Sequence, residues 1–156
     1  MPETFLQSWA KALVLGHAAA AIVLIGASTH HLIITIGYWR GVYKVRLGRI
    51  YTATVATSYV ITFALGALAY PTYRYFVRGL YLDRYAPWAS NLFDIKENLA
   101  SMALPCALGA FALSRVLEPD QHRSLLLGYT VLVSGTALVV WFDVVSGLLI
   151  TMTRGV

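Results

Sequence analysis

At 156 residues, 58% apolar and 12% charged, the chain has about half the charge of an ordinary soluble domain. One membrane domain fits that length and no separate soluble domain does. The formal charge of +5 sits at the ends of apolar runs, which reads as topology and headgroup contact and excludes a nucleic-acid footprint, while the lone Cys106 excludes an intrachain disulfide.

The first predicted span covers 13–38. No charge lies between Lys11 and Arg40, and at about 1.5 Å per residue this run exceeds the roughly 30 Å hydrocarbon core of a bilayer. It is also too long for a signal-peptide core, so the N-terminus is expected to stay on the mature protein. Ahead of it, Phe5, Leu6 and Trp9 are placed for the interface.

This span carries His17, His30 and His31. His17 and His31 are fourteen residues apart, within about 40° of one another around a helix and about 21 Å apart along it; His30 points elsewhere. Ala21, Leu24 and Ser28 share their stripe, with Gly16, Ala20, Gly26 and Ala27 beside it, a face that admits a close helix or a flat cofactor.

Such a pair resembles the arrangement by which bis-histidine membrane cytochromes hold two stacked haems, one near each leaflet. The resemblance covers this helix only. It implies haem b on His17 and His31, with haem iron as the metal. The other three predicted spans contain no histidine, His122 standing at the start of the fourth, so a second ligand would come from another subunit or from a second copy across a two-fold axis. The competing expectation is that these histidines hydrogen-bond to neighbouring helices.

Next comes a loop holding Arg40, Lys44, Arg46 and Arg49 without an acid. The positive-inside rule places it in the cytoplasm and both termini outside. The second span, 50–70, is predicted to end at Pro71. Segment 72–85 is too charged to span; its Arg74 and Arg78 share a helix face, and its tyrosines suit an interfacial helix ended by Ala86 and Pro87. Ser90 or Asn91 is the expected cap of the third span, 93–114, in which Pro105 suggests a kink. The fourth, 124–151, is uncharged except for Asp143.

His17, Asp94, Glu97 and Asp143 all fall in the outer leaflet. An intramembrane carboxylate costs a few kcal/mol on insertion scales, so Asp143 is expected to face the bundle interior, within reach of His17 or the acidic end of the third span. With Tyr73, Arg74, Lys96, Asn98 and Ser101 these groups make an outer polar cavity suited to a quinone headgroup, a proton path or a metal; the competing expectation is a salt-bridged staple for the interfacial helix. Met102 and Cys106, one turn apart, are either packing or soft ligands for copper(I). Hydrolase triads, phosphate loops and zinc motifs are absent from the sequence, so no catalytic residue is assigned.

These readings converge on an all-α integral membrane protein: a single domain over 1–156, a four-helix transmembrane bundle with an interfacial helix between spans two and three. The expected function is that of a redox component, handling haem b or quinone, within an electron-transfer complex. The alternatives are a non-catalytic scaffold subunit of a larger membrane complex and a small transporter or channel using the outer acidic cavity. The expected setting is multi-pass in a bacterial inner membrane, with lipid, other membrane subunits or copies of itself as partners.

Overall fold

The uncharged runs form long helices, the conformation that satisfies every backbone hydrogen bond within one segment. In the computed structural model, which describes residues 3–154, these are α1 (Ala10–Trp39), α2 (Val45–Thr72), α3 (Pro87–Val116) and α4 (Arg123–Thr153). Each belongs to a helical stretch long and apolar enough to cross a membrane, and no strand occurs among the described residues. A single 3-10 turn, Gln7–Trp9, leads into α1.

The expectation of a separate interfacial helix after Pro71 is corrected. The backbone passes Pro71 without a break and continues as a ten-residue π-helix, Tyr73–Leu82, and a last turn, Asp83–Tyr85. Proline deletes one donor, but the next amides hold the ladder: Tyr73 N–H reaches the carbonyls of Ala69 and Tyr70. The segment is also anchored, because Val77 and Leu82 are buried against Ala86, Ala89 and Ile150. The chain reverses at Ala86, and α3 begins at Pro87, whose fixed φ suits a first helical position. Ser90 caps nothing there; its hydroxyl donates to Asp83 instead.

α1 packs on α2 and α4, and α3 packs on α2 and α4, which closes a ring of four antiparallel helices. Both described ends therefore lie together. Thr4 Oγ1 is 3.0 Å from Thr72 Oγ1, and the Arg154 guanidinium sits 5.1 Å over the Tyr81 ring. At the opposite end Arg49 Nε donates to the Ser114 carbonyl at 3.0 Å, satisfying the last turn of α3.

Where lipid surrounds a bundle, small residues and interhelical hydrogen bonds hold it together. Ala103, Ala107 and Ala110 give α3 a flat buried face that runs through Pro105, and the buried stripe of α1 is Leu24, Ala27, Ser28, His31, Thr35 and Tyr38. Two reciprocal indole bonds stitch α1 to α4: Trp39 Nε1 donates to Thr130 Oγ1 at 2.8 Å, and Trp141 Nε1 to Thr29 Oγ1 at 3.0 Å. Leu15, Ile22, Leu138 and Met152 point outward on an apolar belt, the surface a bilayer would cover.

Candidate functional site: two polar clusters inside the bundle

The inner cluster is built from one residue on each of three helices. His31 of α1, Thr52 of α2 and Tyr129 of α4 are all 2% exposed or less. His31 Nε2 lies 2.6 Å from Tyr129 Oη and 3.0 Å from Thr52 Oγ1, and those two oxygens are 2.9 Å apart. The Thr52 hydroxyl hydrogen is already committed to the Gly48 carbonyl at 2.6 Å. Counting hydrogens then settles the roles: Tyr129 O–H donates to Thr52, and His31 Nε2–H is shared between Tyr129 and Thr52, since only this tautomer supplies a hydrogen to every contact. Beside the cluster lies a cavity of about 10 Å³ lined by Ser28, His31, Thr52, Val55, Ala107, Ala110, Val133 and Thr136.

The outer polar residues His17, Lys96 and Asp143 are each partly buried. His17 Nδ1–H donates to the Thr62 carbonyl at 2.8 Å, which leaves Nε2 with its lone pair. Gly66 makes room for the ring: a Cβ there would lie 3.2 Å from His17 Cε1 and Nδ1. Asp143 Oδ1 is buried with no hydrogen-bond partner. Lys96 is the cation whose field reaches both Asp143 and His17; its stem runs over Gly147, and no ion pair closes between it and Asp143 among the described residues.

The other expected cavity residues divide. Asp94 is a staple: its two oxygens receive Arg78 Nη1 and Nη2 at 2.5 and 2.8 Å, while Arg78 Nε also faces Asp83 at 3.6 Å. Glu97 lies half-buried within the fields of Lys96, Asp94, Arg78 and Arg74. Tyr73 stacks on Phe93, with ring centroids 4.5 Å apart and a buried, unpartnered hydroxyl. Arg74, Asn98 and Ser101 are exposed. Arg74 lies over the Tyr70 ring, and the Ser101 hydroxyl donates to its own helix at Glu97. A three-dimensional polar site thus keeps residues that point between helices and loses those a third of a turn away.

Between the clusters sits an apolar layer of Leu24, Ala27, Val55, Ala103, Ala107 and Val140. Tyr59 also lies in it, its hydroxyl donating to the Ala100 carbonyl at 3.0 Å. Thr52 and Tyr129 had no signal in the sequence, being single hydroxyls within apolar helices. Gly66 and Gly147 were likewise invisible as room-makers.

The residues around His31 do not fit a haem. His31 Nε2 is held by Tyr129 Oη at 2.6 Å and Thr52 Oγ1 at 3.0 Å, which leaves no open side for an iron at that nitrogen. The adjoining space is about 10 Å³, far below the roughly 300 Å³ at which pockets for organic ligands begin. His31 is 2% exposed, which rules out the arrangement in which it faces the His31 of a second copy. His17 turns its ring onto α2 at Gly66, and His30 bonds to the Gly26 carbonyl and stacks on Tyr51. The copper expectation does not hold either: Met102 is 67% exposed, and Cys106 Sγ donates to the Met102 carbonyl rather than meeting its thioether. No group of three metal-ligating side chains forms among the described residues.

Compared with protein-family models, with curated proteins and with solved structures, the chain matches none of them.

Proposed function

We propose that this chain is a membrane-embedded proton-handling protein of the small transporter or channel class, passing protons along the interior of its helical bundle. One observation carries the reading. The polar groups between the helices fall in two sets, the partly buried His17, Lys96 and Asp143 and the hydrogen-bonded His31, Thr52 and Tyr129, whose histidines stand about 21 Å apart along α1, most of the depth of a bilayer core. Carboxylate, imidazole and phenol groups exchange protons, and chains of them inside a membrane bundle mark proton relays.

In this reading Asp143 takes and releases protons at one end. His17 Nε2 is a second acceptor in the same half, Lys96 holds the local field, and the His31 node serves the other half. The apolar layer is the step between them, a dry constriction of the kind that gates by wetting. The acid-free basic residues of the Arg40–Arg49 loop support an orientation with the His31 half toward the cytoplasm and the Asp143 half outside.

The test is flux in proteoliposomes carrying a pH-sensitive dye, with a potassium gradient and valinomycin as driving force. Wild type should exceed empty vesicles, and Asp143→Asn and His17→Gln should each lower the rate at least about tenfold, about 1.4 kcal/mol on a barrier, while leaving unfolding unchanged. Flux at the level of empty vesicles, or full flux in Asp143→Asn, refutes the proposal.

A second reading, a quinone headgroup at the outer end, is favoured by the Tyr73 hydroxyl, a buried donor without a partner. Binding of a short-chain quinone that is lost in Tyr73→Phe would support it; equal binding would end it.

A further inference from the structure

We propose that the cavity among Ser28, His31, Thr52 and Thr136 is a binding site for one water molecule, which ties α4 to the His31 cluster. Of the buried serines and threonines, Ser28, Thr35, Thr52, Ser58, Thr72, Ser90, Ser114 and Ser146 each bond through the side-chain oxygen. Thr136, 2% exposed, is the exception: its Oγ1 has no partner. It does not return to its own helix as the buried Ser146 does on α4, and it lines the cavity instead.

The size fits. About 10 Å³ of space is close to what a single water occupies, and a buried water needs two to four polar partners. Thr136 O–H supplies a donor. Ser28 Oγ has spent its hydrogen on the Ile25 carbonyl at 3.1 Å, so its lone pairs are left to accept one from the water. Thr136 and Ser28 thus supply the two polar partners a buried water needs at the least. The other walls are Val55, Ala107, Ala110 and Val133; the two alanines of α3 keep the space open, and none of the four competes for the water. A hydroxyl buried without a partner is costly, and a water there removes the cost.

The site stands on the cavity and the orphan hydroxyl. Its part in conduction, as the carrier adjoining the apolar layer, rests on the proton-handling reading. The experiment uses the whole protein in micelles. Thr136→Val keeps the shape and removes the hydroxyl. With water in the site its thermal midpoint should fall by about 2–4 °C, one hydrogen bond's worth in a chain of this size, and Thr136→Ser should stay near wild type. In a dry cavity the same valine removes an unpaired polar group, so the midpoint rises or holds, which overturns the proposal. A measurement on the wild type guards against a variant that fails to fold: magnetisation transfer from water to the His31 side-chain N–H is expected, and its absence overturns the site. Wild type without proton flux but with this water would sink only the proton reading. Normal flux without the water would sink only this inference.

Discussion

Tyr129→Phe takes one oxygen from the centre of the inner cluster and leaves the ring, packed against Tyr38, Leu126 and Val133, in place. The lost hydroxyl stood 2.6 Å from His31 Nε2 and 2.9 Å from Thr52 Oγ1. His31 N–H is left with Thr52 alone, at 3.0 Å, and Thr52 loses the hydrogen that Tyr129 donated. Side-chain bonds between membrane helices average about 0.6 kcal/mol and reach about 1.7. An under-satisfied buried partner adds to that, so the expected cost is about 1–2 kcal/mol. Thr52→Val should cost more, since Thr52 also serves Gly48 at 2.6 Å. Because the two residues share a contact, the double variant should be less destabilised than the sum, by about 1 kcal/mol. Reversible unfolding in mixed detergent micelles, followed by circular dichroism, measures all three. A Tyr129→Phe variant within about 0.3 kcal/mol of wild type, or additive single effects, would refute the network. In the proton-handling reading the same variant also slows flux.

Gly48→Ala drives a methyl group into the Tyr38 hydroxyl, which is packed against the Gly48 backbone and held on a 3% exposed ring. The expected loss is about 1–3 kcal/mol, and Tyr38→Phe should restore most of it; no restoration in the pair would show that the contact is not what limits position 48. Arg78→Gln cuts the fork to Asp94 and the contact to Asp83. As those side chains are 23–49% exposed, the cost should be about 1 kcal/mol or less and should shrink with salt, with flux intact. Full stability with lost flux would instead make Arg78 part of the path. In a Cys106→Ala background, single cysteines at Thr4 and Leu47 should label from opposite sides of the membrane. Labelling at Leu47 in intact cells would reverse the orientation proposed from the basic loop.

The number of helices, their approximate limits and their apolar character were legible in the sequence because each is a local property. An uncharged run long enough to cross a bilayer becomes helix whatever surrounds it, so predicted 13–38 and 124–151 appear as Ala10–Trp39 and Arg123–Thr153. The histidine stripe was legible too, since helical periodicity alone places Leu24, Ser28 and His31 on one face, and that face is buried. The end of the second span was not. Proline's local rule predicts a stop at Pro71, but the deletion of one donor was outweighed by the neighbouring amide bonds and by the burial of Val77 and Leu82 against Ala89 and Ile150. What the stripe faces was also beyond the sequence. The small residues beside His31 are compatible with a flat cofactor or a close helix, and only the packing of α2 and α4 brings Thr52 and Tyr129, 21 and 98 positions from His31, to its nitrogen. The sorting of the outer polar residues has the same cause: composition puts them at one depth, while the rotation of α3 in the ring sends Lys96 inward, pairs Asp94 with Arg78 and leaves Asn98 and Ser101 outside. Depth in a membrane is set by chain distance from a charged end; direction is set by which helix stands alongside, and that belongs to the tertiary structure.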